Sequence, residues 1–384
     1  MKILVLSKRL YTGKDLINDR YGRLFEIPSE LSKVGHEVKG VALSYRLIEQ
    51  GVFEWSEYPN MEWHSINAIP SGLVRYYKKL DRLTDNWKPD IVWASSDVLH
   101  ICLAYQWTKK NLVPLVIDLY DNYESFGMAK LPLLTSKFRE ACKNSAGLTA
   151  VTQTLIDKVE RDSGRKKSSR LINNAARTDI FFKKDKIQCR KMLNLPLNAN
   201  IIGTAGAITE HRGINDLFRA FEHLSQQDPN LWLVVAGPKD RVSMNFKHPR
   251  FIDLGTLDLK GVSLLLSSLD VGIICNKDSS FGRYCFPLKL AEFLASQTPF
   301  VAADVGEVSV LLSARRDCLY EPGSAIQLAR KISKHLGHFD GKNLPPSLSW
   351  KNVANEISKY FHQTNDNTSY QTSSHLNKPN INLK

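Results

Sequence analysis

The sequence predicts an α/β protein with two Rossmann-like domains, each built around a largely parallel sheet. Its 384 residues exceed the usual size of one domain. Short apolar runs alternate with amphipathic stretches along the first half, as in βαβ units. The same alternation restarts near Asn200. We therefore expect two parallel sheets, whose strand ends face a central cleft where ligands bind.

The first domain is expected to begin with the strand KILVLS at 2–7. The next segment, 21–35, has Leu24, Ile27, Leu31 and Val34 at helical spacing. Gly35 is expected to end this helix, and Pro28 is expected to kink it. Continuous apolar character predicts further strands at 36–44, 90–96, 114–120 and 147–152.

The second domain is expected to begin with the strand IIGTAGAI and the helix INDLFRAFEHLSQ, at 201–208 and 214–226. Further strands are expected at 231–238, 271–276 and 299–304. These elements define domains at 1–180 and 181–345. A helix at 346–362 is expected to return to the N-terminal domain. The polar segment 363–384 lacks periodicity and is expected to be disordered.

Composition narrows the class of protein. No apolar run approaches the roughly 18 residues of a membrane span, and ILVL is too short for a signal peptide. The six cysteines are scattered without a metal-binding spacing, which suits reduced thiols in a cytoplasmic protein. The net charge of +13 favours anionic ligands such as nucleotides or lipid headgroups. Nucleic acid is not expected, since no zinc-finger spacing or RNA-binding motif is present.

Two loops of the second domain have the character of anion sites. In GAITEHRGI, Gly206 follows a strand, and Arg212 and Gly213 precede a helix. Glycine permits close backbone approach, and arginine can bind phosphate with two hydrogen bonds. The alternative is an ordinary strand-to-helix turn with a solvated arginine.

The second loop leads into the helix PLKLAEFLA. Pro287 is expected at the first helical position, where its missing N–H costs nothing. The amides of Leu288, Lys289 and Leu290 would then point into the cleft, and Lys289 would add positive charge. Glu292 lies about one turn into the helix, where it could bind a ribose diol. The alternative is a helix glutamate that makes a cap or a salt bridge.

Several segments together resemble the retaining glycosyltransferases of family 4, which have the GT-B fold. The resemblance covers most of 1–362. It is carried by YGRLFEIPSELSKVGHEV, ACKNSAGLTAVTQTL, RLINNAARTDIF, GAITEHRGINDLFRAF, LWLVVAGP and FPLKLAEFLASQTPFVAADVGEV. It implies transfer of a sugar from a nucleotide-diphosphate sugar to a glycan or lipid-linked acceptor, with retention of anomeric configuration.

The resemblance also implies roles for individual residues. Arg212 takes the basic position that binds the donor phosphate, and Glu292 takes the second glutamate of the E-x7-E motif, which holds the ribose. The backbone from Pro287 to Leu290 would contact the diphosphate. Gly22 takes the glycine position of the N-terminal loop that faces the sugar and the acceptor.

The sequence departs from the family pattern at four places. Tyr284 stands where the first motif glutamate is expected, and Ala207 stands where an arginine is common. Gly22 is single rather than one of a pair, and Ala175 replaces a glycine in the segment that joins the domains. A non-catalytic nucleotide-sugar-binding subunit is therefore the main alternative. A GT-B epimerase also stays open, whereas an oxidoreductase is disfavoured because the first strand lacks GxGxxG.

Catalysis without a metal or cofactor is expected. The chain contains no D-x-D motif, so the leaving diphosphate would be stabilised by preorganised positive groups. Arg212 and Lys289 are the donor-side candidates, and activity is expected to survive EDTA. The resemblance does not point to a protein nucleophile.

Acceptor-side candidates follow two strands of the first domain. Asp97 and His100 follow DIVWASS, and Asp118, Asp121 and Glu124 lie in DLYDNYES. His100 and Asp118 are the catalytic candidates of this set. The alternatives are that Asp118 caps a loop and that the hydrogen bonds of His100 are satisfied locally.

A basic amphipathic helix is predicted at 75–83, RYYKKLDRL. Such a helix can lie on an anionic membrane surface. The alternative is an ordinary exposed helix of the first domain. With the net charge, this segment suggests an acceptor of cell-envelope or exopolysaccharide biosynthesis, and peripheral contact with the inner face of the membrane.

Overall fold

The structure is a computed structural model that describes residues 1–11, 13–69 and 72–376. The chain forms two compact units: Met1–Asn173 together with the chain from Trp350 onward, and Asn174–Ser349. The division at Asn173 lies a few residues before the predicted boundary at 180, shortly after the last strand of the first sheet.

The first unit contains an eight-stranded sheet with the order β10-β9-β8-β7-β1-β4-β6-β5. Its pairs are parallel except for β5 with β6, and a separate hairpin pairs β2 with β3. The strands are β1 (Lys2–Lys8), β2 (Leu10–Tyr11), β3 (Lys14–Asp15), β4 (Glu37–Ser44), β5 (Gly51–Glu54), β6 (Met61–Asn67), β7 (Ile91–Ala94), β8 (Leu115–Leu119), β9 (Gly147–Ala150) and β10 (Arg170–Leu171).

Helices connect these parallel strands. They are α1 (Arg23–Lys33), α2 (Gly72–Thr84), α3 (Val98–Asn111), α4 (Pro132–Asn144) and α5 (Gln153–Ser163). Pro28 lies inside α1, which continues past it to Lys33. The observed end of α1 is close to the predicted one, since Gly35 adopts φ +92° just after the helix.

The second unit contains a six-stranded parallel sheet with the order β13-β12-β11-β14-β15-β16. Its strands are β11 (Asn200–Ala205), β12 (Leu231–Ala236), β13 (Phe251–Asp253), β14 (Val271–Ile274), β15 (Phe300–Ala303) and β16 (Leu319–Tyr320). Its helices are α6 (Lys186–Met192), α7 (Ile214–Gln227), α8 (Arg241–Met244), α9 (Leu259–Ser268), α10 (Leu288–Ser296), α11 (Glu307–Leu311) and α12 (Ala325–His335).

The last helix, α13 (Trp350–Leu376), packs against α1 in the first unit. Val353, Ile357 and Phe361 of α13 are buried. The sequence predicts a helix only to 362 and disorder from 363, whereas the structure continues the helix to Leu376. The rest of the predicted tail, 377–384, lies outside the described residues. No helix in the described part of the chain is both long and apolar enough to cross a bilayer.

The strand order fixes where each sheet can bind a ligand. In the first sheet the order reverses between β1 and β7, and in the second between β11 and β14. Loops leave the carboxyl ends of neighbouring strands in opposite directions at such a point, which opens a crevice. The two predicted anion loops follow β11 and β14, so they flank the crevice of the second sheet.

Candidate active site

The loop after β11 begins with a close contact between two glycines. Gly206 has φ +100°, and its N–H donates to the carbonyl of Ala236 at 2.9 Å. A Cβ on Gly237 would lie 2.0 Å from the Gly206 carbonyl oxygen. Since glycine has no side chain, the loops after β11 and β12 can run side by side at this point.

Arg212 ends a short 3-10 turn, Glu210–Arg212, just before α7. Gly213 follows with φ +80°, and a Cβ there would lie 3.4 Å from the backbone of Asn276 after β14. The guanidinium carbon of Arg212 lies 4.0 Å from the ring centre of Phe281. Within the described residues, the Arg212 side chain makes no ion pair, so its N–H groups are available to a ligand.

Lys289 lies in the first turn of α10 and reaches toward Gly206. Its Nζ is 3.7 Å from the point where a Cβ on Gly206 would lie. Burial lowers the pKa of the Lys289 ammonium, and the nearby Arg212 acts in the same direction. Two cations that repel each other therefore lie at the crevice between β11 and β14.

The start of α10 differs in detail from the prediction. Pro287 is the cap residue, with ψ 119°, and the helix begins at Leu288 rather than at the proline. The N–H of Leu290 donates to the Pro287 carbonyl at 3.0 Å. The predicted set of three ligand-binding amides is therefore reduced to Leu288 and Lys289.

Glu292 lies one turn after Lys289 and is half-buried. Burial raises the pKa of its carboxyl group to about 7, and the Lys289 charge opposes that rise. In the described part of the chain, Glu292 makes no hydrogen bond and no ion pair. This geometry excludes the alternative of a salt-bridged or capping glutamate.

The loop between β14 and α10 contains two further residues at the candidate site that the sequence motifs do not predict. Phe281 stacks on Arg212, and the buried Asn276 directs its Nδ2 toward the Gly282 carbonyl at 3.5 Å. Tyr284, at the position of the missing glutamate, lies in the same loop. Phe281 could have been predicted from the sequence, because it is an aromatic residue just before the helix that begins with PLK.

Asp118 has a structural role that contradicts the catalytic prediction. It is fully buried, and Arg23 binds both of its oxygens at 2.6 and 2.8 Å. Thr149 donates a further hydrogen bond at 2.6 Å. The carboxylate therefore joins α1 to β8 and β9, and a substrate could not replace these partners without exposing a buried charge.

His100 is also enclosed, which contradicts its predicted catalytic role. It is fully buried, and its Nδ1 lies 3.2 Å from the Tyr45 hydroxyl. Burial lowers the pKa of His100 to about 4, so the imidazole is neutral near neutral pH. Asp97 caps α3 by accepting from the His100 N–H at 2.9 Å, and it pairs with Lys8 at 3.5 Å.

The remaining acceptor-side candidates are also occupied or buried. Glu124 pairs with Arg139 at 2.7 Å and with Lys158. Asp121 is buried and accepts from the Asn122 N–H at 2.8 Å. Both side chains stabilise the segment after β8.

Gly22 precedes α1 in a conformation that only glycine adopts easily. Its φ is +71°, and a Cβ there would lie 2.5 Å from the Tyr11 hydroxyl oxygen. That hydroxyl donates to the Tyr21 carbonyl. The predicted special position of Gly22 thus has a local cause, the tight packing of the N-terminal loop on the hairpin.

One group of possible metal ligands occurs among the described residues: Asp317, Cys318 and His335. Asp317 and Cys318 immediately precede β16, and His335 is the last residue of α12. Arg315 already binds both oxygens of Asp317, at 2.9 and 3.0 Å. The Arg315 guanidinium lowers the pKa of Asp317 to about 2, so the carboxylate is ionised and already paired with Arg315.

Solved structures define the class of the fold. A sucrose-phosphate synthase from Thermosynechococcus elongatus superposes with a TM-score of 0.75 at 16% identity, covering 94% of this chain and 98% of its own. HepE from Anabaena, solved in complex with UDP, gives a TM-score of 0.66 at 16% identity, over 97% and 100% of the two chains. These likenesses, with the two parallel sheets, confirm the predicted GT-B fold.

Sequence comparisons then give the family. Residues 199–338, the core of the second unit, match the family described as glycosyl transferases group 1. A Bacillus anthracis N-acetyl-alpha-D-glucosaminyl L-malate synthase is 22% identical over 74% of this chain and 75% of its own. TuaH of Bacillus subtilis, a putative teichuronic acid biosynthesis glycosyltransferase, is 25% identical over 75% and 77%. Residues 199–338 therefore have the sequence character of a group 1 glycosyltransferase domain, and the chain is similar to glycosyltransferases over most of its length.

Proposed function

We propose that the chain transfers a sugar from a nucleoside-diphosphate sugar held at the crevice between β11 and β14. The observation that carries this proposal is the convergence of two cations and one carboxylate, none of which has an ion-pair partner among the described residues. Arg212 and Lys289 suit a diphosphate, and Glu292 suits the two hydroxyl groups of a ribose. HepE, which shares the fold, was solved with UDP, and this supports a nucleoside diphosphate as the ligand.

The proposed chemistry rests on stabilising the leaving group. As the glycosidic bond to the diphosphate breaks, negative charge grows on the phosphate oxygens. The Arg212 guanidinium, the Lys289 ammonium and the first amides of α10 are preorganised to receive that charge. The reaction is therefore proposed to need no metal or other cofactor. Retention of configuration is proposed from the family resemblance, with the leaving phosphate helping to deprotonate the acceptor.

Turnover tests the proposal and separates it from the non-catalytic alternative. A thermal-shift screen with UDP, GDP, ADP and CMP, with and without EDTA, would identify the nucleotide. Release of that nucleotide from its sugar would then be measured with acceptor glycans or lipids. We expect one nucleotide to shift the melting temperature and EDTA to change neither binding nor release. Binding without release under every acceptor condition would favour a binding subunit.

The acceptor is proposed to be a glycan or lipid-linked intermediate of cell-envelope or exopolysaccharide biosynthesis. TuaH is named for teichuronic acid biosynthesis, which supports an envelope polymer. His100 and Asp118 are buried and partnered by other side chains, so this part of the proposal is supported by relatives and by surface character. We place the enzyme in the cytoplasm.

Helix α2 is the proposed contact with an anionic membrane. Tyr76 and Leu80 bury one face of the helix, while Arg75, Lys78 and Arg82 are exposed on the other. Val74, 66% exposed, adds an apolar group beside these cations. Cations around exposed apolar groups are typical of helices that lie in a membrane interface.

Flotation with vesicles containing anionic lipid tests this contact. The double variant Lys78→Glu/Arg82→Glu should bind the vesicles less than the wild type does. A matched variant, Lys191→Glu/Lys260→Glu, changes the net charge equally at exposed sites of the second unit and should bind as the wild type does. An equal loss of vesicle binding in both variants would show that binding depends only on the overall charge.

A further inference from the structure

Arg212 and Phe281 form a contact between a cation and an aromatic ring. Arg212 is half-buried, and its guanidinium carbon lies 4.0 Å from the centre of the Phe281 ring. A guanidinium this close to an aromatic face is attracted by the ring quadrupole. The contact links the two anion loops, since Arg212 precedes α7 and Phe281 precedes α10.

A ring holds an arginine differently from a carboxylate. A carboxylate accepts hydrogen bonds from the guanidinium N–H groups and neutralises its charge. An aromatic face contacts the plane of the group and leaves its edge donors available. Within the residues that the structure describes, Arg212 has no carboxylate partner. The stack therefore restricts the orientation of the guanidinium without using the groups that would bind phosphate.

Phe281 is itself held by a tightly folded loop. The next residue, Gly282, could not carry a Cβ, which would lie 2.0 Å from the Lys277 carbonyl oxygen. Its N–H donates to the Ser279 hydroxyl at 3.1 Å, and the Arg283 N–H donates to the Ser279 carbonyl at 2.9 Å. The ring is thus presented to Arg212 by an organised turn rather than by an extended loop.

A second contact fixes the backbone around Arg212. Gly213, the next residue, packs against the backbone of Asn276, with 3.4 Å between that backbone and the position of a Cβ. Asn276 in turn points its amide at the Gly282 carbonyl. The backbone of the first anion loop and the tip of its arginine are therefore both placed by the loop after β14.

We infer that Phe281 is a positioning residue for Arg212, which it orients to bind the diphosphate of the donor. This inference rests on the proposed function, because it assigns Phe281 a role in the same site. Phe281 acts through the arginine. Its removal should therefore weaken binding of the charged diphosphate and leave binding of the uncharged nucleoside unchanged.

The test is a double-mutant cycle on the purified full chain. The nucleoside diphosphate that binds the wild type, among UDP, GDP and ADP, is titrated against wild type, Phe281→Leu, Arg212→Ala and the double variant. Leucine keeps the apolar bulk and removes the quadrupole. We expect Phe281→Leu to weaken the diphosphate about 2- to 30-fold, the range of a cation–π contact. In the Arg212→Ala background, the same change should have almost no effect.

Conservative variants and kinetics separate positioning from general damage to the fold. Phe281→Tyr keeps the aromatic face and should retain wild-type affinity. With the nucleotide sugar, Phe281→Leu should raise KM for the donor, and Phe281→Tyr should restore it. Melting temperatures of all variants would be measured, so that the comparison uses folded proteins only.

The outcomes distinguish this inference from the proposed function. Wild-type affinity in folded Phe281→Leu, or equal losses in both arginine backgrounds, would overturn the role of Phe281 while the proposed donor site stands. Equal weakening of the nucleoside and the diphosphate would also overturn it. If the wild type bound none of the diphosphates, the proposed function itself would fail.

Discussion

Glu292 shows how one residue can reveal a ligand site. It lies in a helix that otherwise buries Leu290 and Phe293, yet no hydrogen bond or ion pair among the described residues satisfies its carboxylate. A half-buried charge without a partner destabilises the folded state. In the proposed function, the hydroxyl groups of a ribose supply the missing partners.

Replacing Glu292 by alanine should weaken nucleotide binding by about 1–3 kcal/mol, the cost of leaving buried hydroxyl groups without their hydrogen-bond partner. Isothermal titration with the preferred nucleoside diphosphate measures the change. Glu222→Ala, at an exposed position of α7, is the matched control and should leave affinity unchanged. Unaltered affinity in Glu292→Ala would contradict the ribose role.

The pKa of Glu292 makes a separate prediction for the ligand-free protein. The folded state raises this pKa to about 7 from an ordinary value of 4.5, so it binds the proton more tightly than the unfolded state does. The free energy of unfolding therefore falls as pH rises through this interval. Glu292→Gln removes the titration. It should exceed the wild type in stability at about pH 8 and match it at about pH 4.

The measurement is chemical denaturation of both proteins across this pH range. Other titrating groups are common to the two proteins, so their effects cancel in the difference. A constant difference across the range would show that Glu292 does not titrate as expected.

At the scale of elements, α1 is fixed to the first sheet by the buried pair of Arg23 and Asp118. Removing one partner leaves the other charge buried, so Asp118→Ala should lower the free energy of unfolding by about 3–5 kcal/mol. Asp179→Ala breaks an exposed pair with Arg177 and should cost less than about 1 kcal/mol. Similar losses in the two variants, measured by urea denaturation, would contradict the structural role of Asp118.

The same elements show what the sequence could predict. The apolar strands β1, β7, β8, β11 and β12 and the helix after Pro287 were predictable because their patterns are local. Strand β6 was not predicted, because the polar residues Glu62, His64 and Ser65 interrupt the apolar pattern of MEWHSIN. The strand nevertheless pairs with a neighbour on each side. The role of Asp118 was also beyond local reasoning, because its partner Arg23 is 95 residues away. Donor-site residues cluster in two short motifs, whereas the acceptor-side candidates depended on distant contacts.

At the scale of the whole molecule, the chain leaves the first unit and returns to it. Helix α13 follows the complete second unit, and its Tyr360 hydroxyl accepts a hydrogen bond from the Leu148 N–H of β9 at 3.0 Å. Phe361 beside it is fully buried. The first unit is therefore completed only after the second has been synthesised.

Truncating Phe361 tests this completion. Phe361→Ala should lower the free energy of unfolding by about 3–5 kcal/mol, as for other buried aromatic side chains. Lys359→Ala, at an exposed position of the same helix, should leave it almost unchanged. Equal stabilities of the two variants in thermal unfolding would show that α13 adds little to the first unit.

The stack of Arg212 on Phe281 has a consequence for the choice of buffer. Because a ring and not a carboxylate holds the arginine, no ion pair among the described residues neutralises the positive charge of Arg212 or Lys289. Small multivalent anions such as sulfate and phosphate are therefore natural competitors for the donor. Added salt should also reduce the donor on-rate by screening the attraction. An assay in concentrated phosphate would underestimate the activity of the enzyme, so the ionic composition of the buffer should be controlled first.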